Sequence, residues 1–380
     1  MNQNKPLLSV AIPTKNRQYY CIEVIKHILS YDNKNFELVI QDNSDDRTIE
    51  QFVSTIEDKR LKYVYTNEAI SSVENMSRSI ALTSGEYVCM IGDDDTILPT
   101  IFEYVKYMKE NDIDSLCPGY IPSYIWPNKK TSDKGTLSVR KYKNRKKYDE
   151  IDAIKRVERL FQDGLIQYQR YNLPRVYHGI IKRMVMDNIY NKIGSYFGGL
   201  SPDIYSTVAL SSLIKKHVLV NDMFTIAGIC PQSTTSQSML GGHRGELRDA
   251  PHLKNKEDYE WDILVPRYYS VETIWAETAI KAARDFGMNK ILEKFNIEIF
   301  NKKSFFFNRG IKDLVINEYL INRKKVNNKY NRLVFIIGAY YHGLLNISKR
   351  IYDKLFLENT KQSKNLVDIS IAAKKIDKLL

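Results

Sequence analysis

Between residues 8 and 117 short β-branched apolar runs alternate with amphipathic stretches, and this alternation narrows the fold more than any other feature of the chain. Leu8-Ser-Val-Ala-Ile12 reads as a strand that ends abruptly at Pro13. Residues 18–30 follow as a helix, with Ile22, Ile25, Ile28 and Leu29 spaced for one buried face. Phe36-Glu-Leu-Val-Ile40 is a second strand, stopped by the polar run Gln41–Asp46, and a helix carries Ile49, Phe52, Val53 and Ile56. Leu61–Tyr65 is a third strand, and residues 71–83 form a helix through Val73, Met76 and Ile80. Tyr87–Ile91 is a fourth strand that ends at Gly92-Asp-Asp-Asp95. Pro99 suits the first turn of the next helix, and Ile113–Cys117 reads as one more strand.

Strands separated by helices of this length describe βαβ units on a mostly parallel sheet, an α/β fold. Such sheets bind ligands outside the carboxyl ends of their strands. Three polar clusters fall at predicted strand ends: Thr14–Arg17, Asp42–Asp46 and Asp93–Asp95. The topology therefore gathers residues remote in sequence on one rim.

Three adjacent carboxylates after a buried strand repel one another unless a cation or hydrogen-bond donors compensate. A hard cation such as Mg²⁺ or Mn²⁺ takes one or two protein carboxylates together with phosphate oxygens, so a metal–diphosphate site suits Asp93–Asp95. A solvated acidic turn ahead of a helix is the plainer alternative. Asp42 can accept hydrogen bonds from a base or sugar, or can simply form a turn. Thr14 and Arg17 offer a hydroxyl and a cation to a nucleotide, or else solvate a loop. Arg78 on the third helix can pair with a phosphate or with the acidic cluster, or stand at the surface. Neither GxGxxG nor GxxxxGK[ST] occurs, so a glycine-rich phosphate cradle is not the means of binding.

Ser9-Val-Ala-Ile-Pro-Thr-Lys-Asn-Arg17, Glu37-Leu-Val-Ile-Gln-Asp-Asn-Ser44 and Ser84–Pro99, in this order and spacing, closely resemble the family 2 glycosyltransferases. Asn75-Met-Ser-Arg78 with Ala81–Glu86 is similar to the segment before the metal motif in members that build bacterial surface polysaccharide (capsule, O-antigen or lipooligosaccharide). The resemblance covers roughly residues 7–117 and implies a GT-A fold using a nucleoside-diphosphate sugar. On this resemblance Pro13 and Thr14 would flank the nucleobase, and Asp42 would hold it, commonly uracil. Asp93 would contact ribose or metal. Asp94 and Asp95 would lie against Mn²⁺ or Mg²⁺. The family usually carries Asp-X-Asp, whereas all three positions are Asp here.

The resemblance further implies inversion by direct displacement, with a carboxylate of the second half as base. Asp203, in Gly198-Gly-Leu-Ser-Pro-Asp-Ile-Tyr205, is the expected base, although the usual motif there is Glu-Asp; Asp222 and Asp187 are fallbacks. His178 is a candidate for acceptor or diphosphate contact. Ser233–Arg244 has the composition of a loop that closes over a donor, with His243 and Arg244 meeting the diphosphate. Trp261 and Trp275 are sugar platforms or apolar anchors.

Residues 118–150 break the alternation with three prolines and the basic run Arg140–Lys147, and read as an insertion or mobile loop. Helices at 151–163 and 203–217 alternate with glycine-bearing loops. No proline follows Pro266, and the remainder reads as mainly helical. The expected organisation is a catalytic domain over 1–265, divided into a nucleotide-sugar half (1–117) and an acceptor half (118–265). A helical region over 266–380 would serve membrane-surface or oligomer contacts.

The charge division fits that scheme. The chain has a net charge of +12, but residues 1–127 carry 12 basic and 19 acidic side chains. The positive charge therefore belongs to the later segments, where a glycan or lipid-linked acceptor, an anionic membrane or a second copy would dock. Nucleic acid is not an expected partner, because the later cations are mostly lysine without regular aromatic interleaving. A basic nucleic-acid-binding protein and a metal-dependent nucleotidyltransferase acting on a sugar phosphate remain the competing readings.

Cys21, Cys89, Cys117 and Cys230 lack CxxC spacing, which argues against a disulfide scaffold or zinc knuckle. The apolar run at 333–345 is shorter than the ~20 residues a bilayer crossing needs. With cations on both sides it suits the membrane interface, a buried helix or a dimer contact. The expected location is cytoplasmic, peripheral on the inner face of the membrane.

Overall fold

The computed structural model describes residues 5–128, 134–142, 146–233, 244–254, 258–324, 329–352, 358–376 and 379. The expected alternation appears as β1 (Leu8–Thr14), α1 (Gln18–Leu29), β2 (Phe36–Asp42), α2 (Thr48–Val53), β3 (Leu61–Tyr65), α3 (Ser72–Ala81) and β4 (Tyr87–Met90). A short β5 (Thr96–Ile97), α4 (Thr100–Glu110) and β6 (Ser115–Pro118) follow. All seven residues of β1 and all four of β4 are buried. That double-sided burial explains their continuous apolar composition. Successive side chains face opposite layers. Val10 and Ile12 join the core that contains Val24, Ile25 and Ile28 of α1, whereas Ala11 joins the core on the other face.

The second half adds β7 (Ser123–Ile125), β8 (Thr136–Tyr142), β9 (Tyr148–Glu150), α5 (Ala153–Gln162), β10 (Ile180–Lys182), α6 (Arg183–Ile193) and α7 (Pro202–Leu213). β11 (His217–Val220), β12 (Thr225–Ile229), β13 (Arg244–Glu246), β14 (Tyr268–Ser270) and α8 (Val271–Asp285) continue the chain. The central sheet runs β3-β2-β1-β4-β10-β6-β11-β9. It is mixed. The β1–β2, β2–β3, β1–β4 and β6–β11 pairs are parallel, and β10–β4, β10–β6 and β11–β9 are antiparallel. The expectation of a mostly parallel sheet holds for the first four strands and fails where β10 inserts between β4 and β6.

Nor is 118–150 merely an inserted loop in its described part. β7 and β8 belong to a second sheet, in the order β15 (Glu358–Lys364), β8, β7, β12, β5. In β8, Leu137 and Val139 alternate inward and are buried, a period of two that the surrounding lysines obscure.

Beyond α8 the chain is helical, as expected, through α9 (Asn289–Leu292), α10 (Ile297–Phe307), α11 (Lys312–Asn322) and α12 (Lys329–Tyr352). It then departs from that expectation. β15 (Glu358–Lys364) pairs antiparallel with β8 from Glu358↔Tyr142 to Lys364↔Thr136. α13 (Ile369–Ile376) places Ile369, Ala372, Ala373 and Ile376 in the same core as α1. Polar Glu-Asn-Thr-Lys-Gln-Ser-Lys has no apolar pattern to announce a strand; backbone pairing with β8 supplies it. The last segment is thus part of the first core rather than of the helical appendage.

Candidate active site

The carboxyl ends of β1, β2 and β4 meet where the sequence placed its polar clusters. Thr14 and Asp42 lie opposite each other in the parallel register, and Pro13 beside Thr14 is buried in β1. Thr14 Oγ1 donates to Asp93 Oδ2 at 2.6 Å, and Asn75 Nδ2 donates to the Thr14 carbonyl at 3.1 Å. Asp42 is fully buried. Its Oδ1 accepts from the Ser44 N–H at 2.8 Å, and its Oδ2 accepts from the Tyr63 hydroxyl at 2.9 Å. Burial, then Asp42, pushes the Tyr63 phenol well up, so this hydroxyl stays a donor.

Arg17, immediately before α1, turns its guanidinium into the acidic turn. Nη2 stands 2.8 Å from Asp93 Oδ1, an ion pair without hydrogen-bond alignment, and Nη1 stands 3.3 Å from Asp94 Oδ1. Burial works to lower the guanidinium pKa, but Asp93 and Asp94 outweigh it and the net shift is upward. Burial also acts on the carboxylates. Reinforced by Asp94 and Asp95 and opposed by Arg17, it pushes Asp93 up to about 7. Asp94 is raised by burial and by Asp95.

Asp95 differs from its neighbours. Oδ2 accepts from the Gly92 N–H at 2.6 Å and the Tyr177 hydroxyl at 2.7 Å, with His178 Nε2 at 3.1 Å; Oδ1 accepts from the Gly228 N–H at 2.7 Å. Burial raises its pKa, yet His178, Tyr177 and Gly92 together bring it below the usual range. Gly228 is there because nothing larger fits. A Cβ on it would lie 1.7 Å from the Asp94 carbonyl oxygen. β12 thereby lays its backbone against the turn, and the Cys230 N–H donates to Asp94 Oδ2 at 3.0 Å. Trp126 Nε1 donates to the Asp94 carbonyl at 2.9 Å. Burial, then Asp94, pushes the Cys230 thiol up to about 12, which keeps it protonated.

His178 sits on a left-handed residue (φ 57°) beside β4, its N–H donating to the Met90 carbonyl at 2.9 Å. Its Nδ1 is buried and without a partner. Asp203 occupies the second position of α7, after Pro202, and its Oδ1 is also buried and unpartnered. Burial, with a contribution from Asp95, raises the Asp203 carboxyl to about 6 against the opposing influence of His178 and Arg175. Arg175 likewise has a buried, unpartnered Nε. His178 is within 3.1 Å of Asp95, and Asp203 feels the charges of His178, Asp95 and Arg175, so three unsatisfied groups, two of them expected from sequence, lie near the acidic turn.

Other expectations go elsewhere. Arg78 pairs at the α3 surface with Glu74 at 2.8 Å and Glu68 at 3.6 Å, so its expected contact with the acidic cluster is absent; the i−4 carboxylate is simply nearer. Arg244 is exposed on the β13–β14 pair and lies beside Gly310. His243 and most of the expected closing loop, 234–243, lie outside the described residues. Asp187 is held by Arg183 at 2.8 Å, and Asp222 accepts from the Tyr104 hydroxyl at 2.5 Å. Trp261 donates to the Val265 carbonyl at 3.1 Å as a core anchor, and Trp275 stacks edge-on against Tyr168.

Sequence reasoning missed Tyr177, Arg175, Gly228 and the backbone of Cys230. The Tyr177-His-Gly179 run was a usable signal. A Cβ on Gly179 would lie 2.1 Å from the Arg175 carbonyl, so that glycine fixes the turn presenting both side chains. The β12 contacts are made by main-chain N–H groups and leave no side-chain trace.

The contacts around Asp94 and Asp95 bear on which of them has an oxygen open to the expected divalent cation. Among the described residues no group of three or more His, Cys, Asp or Glu side chains is arranged to hold a metal ion. Asp95 does not fit as a ligand, since four protein donors fill its oxygens. Among the described residues the Asp94 Oδ1 atom meets Arg17 alone, at 3.3 Å, which leaves it room for a further partner.

The sequence model of the family described as "Glycosyl transferase family 2" matches residues 9–199. An Escherichia coli (strain K12) protein, provisionally assigned as the colanic acid biosynthesis glycosyl transferase WcaA, is 33% identical over 99 residues, covering 26% of this chain and 36% of that protein. A Campylobacter jejuni GalNAc(5)-diNAcBac-PP-undecaprenol beta-1,3-glucosyltransferase is 33% identical over 97 residues, 24% of this chain and 31% of that protein. The match thus spans about a third of the length of these relatives. Staphylococcus aureus TarS 1-349, solved with UDP-GlcNAc, overlays with a TM-score of 0.47 at 14% identity, covering 84% of this chain and 93% of that one.

Proposed function

The chain belongs to the family 2 glycosyl transferases, and from that premise we propose that it moves a sugar from a nucleoside-diphosphate donor, a UDP-sugar by preference, to a glycan or lipid-linked saccharide of a bacterial surface polysaccharide. The observation that carries this reading is the meeting of Thr14, Asp42, Arg17 and Asp93–Asp95 at the carboxyl ends of three parallel strands, beside the unpartnered carboxylate of Asp203. We read the mixed sheet as a GT-A fold.

Asp42 and Thr14 then mark the nucleoside end of the site, and the Arg17–Asp94 edge marks the diphosphate end. Asp203 accepts the proton of the acceptor hydroxyl as that oxygen bonds to the anomeric carbon. The bond from that carbon to the diphosphate breaks on the opposite face, the pair of electrons leaves with the phosphate oxygen, and the configuration inverts. Asp95, Tyr177 and His178 hold the acidic turn in place. Arg17 supplies positive charge to the diphosphate edge. A Mg²⁺ or Mn²⁺ ion held by Asp94 and the donor's own phosphates would neutralise the leaving diphosphate.

A panel of nucleotide sugars, each tested with and without Mn²⁺ or Mg²⁺ for thermal protection and donor hydrolysis, tests the reading. Protection by at least one nucleoside-diphosphate sugar, strengthened by the metal, is expected. Pyrophosphate release from a nucleoside triphosphate, without response to any nucleotide sugar, would overturn it in favour of nucleotidyl transfer.

A further inference from the structure

The later half of the chain contains a second built feature that transfer does not use. A cavity of about 480 Å³ lies between α5, the turn at Tyr168–Tyr171, α10 and α12. Its charged lining is Arg156, Arg159, Arg170, Lys303 and Lys349 against one carboxylate, Asp163. Asp163 is already occupied, its Oδ2 accepting from Arg159 at 3.0 Å and from the Tyr171 hydroxyl at 2.8 Å. Lys303 Nζ donates to the Asp163 main-chain carbonyl at 2.8 Å, and Arg170 Nη1 donates to Asn346 Oδ1 at 3.3 Å. Arg156 and Lys349 have no ion-pair partner among the described residues. Burial, together with Arg159, Lys349 and Arg170 and against Asp163, holds Lys303 below the ordinary lysine range. The cavity wall includes backbone in the left-handed region at Gln167 (φ 58°), two residues after Leu165 (φ 57°).

The cavity opens beside an apolar surface. α12 buries Phe335, Ala339 and Gly343 against the helical region, while its opposite face stands in water. Leu333, Val334, Ile337, Tyr341, Leu344 and Ile351 are each between 49% and 63% exposed. At about 100° per residue these positions fall in one stripe along the whole helix. α12 has no Asp or Glu; its charges are Lys329 and Arg332 at one end and Lys349 and Arg350 at the other. Lys349 belongs both to this helix and to the cavity wall.

We propose that α12 lies in the interface of an anionic bilayer, with its apolar stripe among the acyl chains and a lipid phosphate in the adjoining cationic cavity. The charge pattern selects this occupant over a second copy. A two-fold contact through α12 would bring like-charged helix ends into one interface with no acid on either helix; of the four cations Arg332 has an acidic partner, Asp313 of α11 at 2.5 Å, whereas Lys329, Lys349 and Arg350 have none among the described residues. A bilayer offers both a hydrocarbon layer for the stripe and phosphates for the cations. Among the described residues no helix is long and apolar enough to cross a membrane, so the contact is interfacial.

Co-sedimentation of the full chain with vesicles tests this without any sugar donor, so its failure and that of the transferase reading are separable. Phosphatidylcholine vesicles with 30 mol% phosphatidylglycerol should bind the chain at least tenfold more tightly than pure phosphatidylcholine. Ile337→Ser with Leu344→Ser, at positions already exposed, should abolish pelleting without lowering the melting temperature. Arg156→Glu with Lys349→Glu should weaken binding by about 25-fold or more, taking about fivefold for each cation near an anionic surface. Equal binding to neutral and anionic vesicles would overturn the proposal. So would complete displacement by 20 mM inorganic phosphate, which would assign the cavity to a free anion. A wild-type dimer in sedimentation velocity that the two serine substitutions dissociate would overturn it in favour of self-association.

Discussion

The acidic rim and the cationic cavity are opposite in more than sign. On the rim, Asp42 and Asp95 have donors on both carboxylate oxygens, supplied by Ser44, Tyr63, Gly92, Tyr177, His178 and Gly228. In the cavity five cations share one carboxylate that is already engaged. The rim is mostly complete by itself and leaves only selected groups open. In the cavity Arg159 holds the Asp163 carboxylate, while Arg156 and Lys349 have no ion-pair partner among the described residues. Residue type alone therefore misjudges which charges await a ligand; the partners decide. Within the rim this comparison separates Asp94 and Asp203, with a weakly held or unpartnered oxygen, from Asp95, which has none.

The largest expected effect is at Asp203. Asp203→Asn should lower kcat by about 10³-fold, the middle of the range for a lost general base. It should also raise stability by about 1–2 kcal/mol, since a carboxyl lifted to about 6 by burial costs folding energy when ionised at neutral pH. The sign with pH follows. The base works only when unprotonated, so wild-type kcat should fall as pH drops through about 6. The variant's residual rate should lack that limb. A variant that is both slower and less stable would place Asp203 among the structural carboxylates instead.

Asp94→Ala is expected next, with transfer reduced by about 10²–10³-fold through lost stabilisation of the leaving diphosphate. Its melting temperature should fall less than that of the Asp95→Asn variant, because Arg17 retains Asp93 as a partner and the Cys230 N–H is the one main-chain donor that loses an Asp94 side-chain acceptor among the described residues. Asp95→Asn should reverse the pattern. An amide would turn a donor toward a ring of donors, costing about 3 kcal/mol of stability, with activity falling only as the turn loosens. Equal effects of the two substitutions on melting and on rate would erase the distinction drawn between neighbouring carboxylates.

That distinction was not legible in the sequence, although the acidic turn itself was. The strands and helices up to residue 117 follow from side-chain periodicity, although β1 and β2 run on past the expected stops at Pro13 and Gln41 to Thr14 and Asp42, which are themselves part of the rim. What separates Asp94 from Asp95 is a main-chain N–H at Gly228, 133 residues downstream, together with a hydroxyl at Tyr177. Backbone donors carry no residue code. The same reason hides β15, whose polar side chains give no hint that its main chain completes the sheet beside β8. The apolar run in α12 was legible as a run, but its exposed face was not. Which side a helix buries depends on the neighbouring helices, here through Phe335, Ala339 and Gly343.

Arg78 gives the smallest effect and the sharpest control. Its sequence position, on the helix preceding the acidic strand, made it a candidate for the diphosphate. In the fold its guanidinium meets Glu74 at 2.8 Å and Glu68 at 3.6 Å at the solvent surface. An exposed i,i+4 pair contributes only a few tenths of a kcal/mol after screening by water and salt. Arg78→Ala should therefore change stability by less than about 0.5 kcal/mol. Donor KM, measured by steady-state transfer, should change by less than about twofold, the scale of a lost surface interaction. A large rise in donor KM with unchanged melting would mean that the guanidinium leaves its glutamates to reach the nucleotide. Partners present in the free chain would then be a poor guide to which groups the substrate recruits, and the comparison between rim and cavity would fail at its premise.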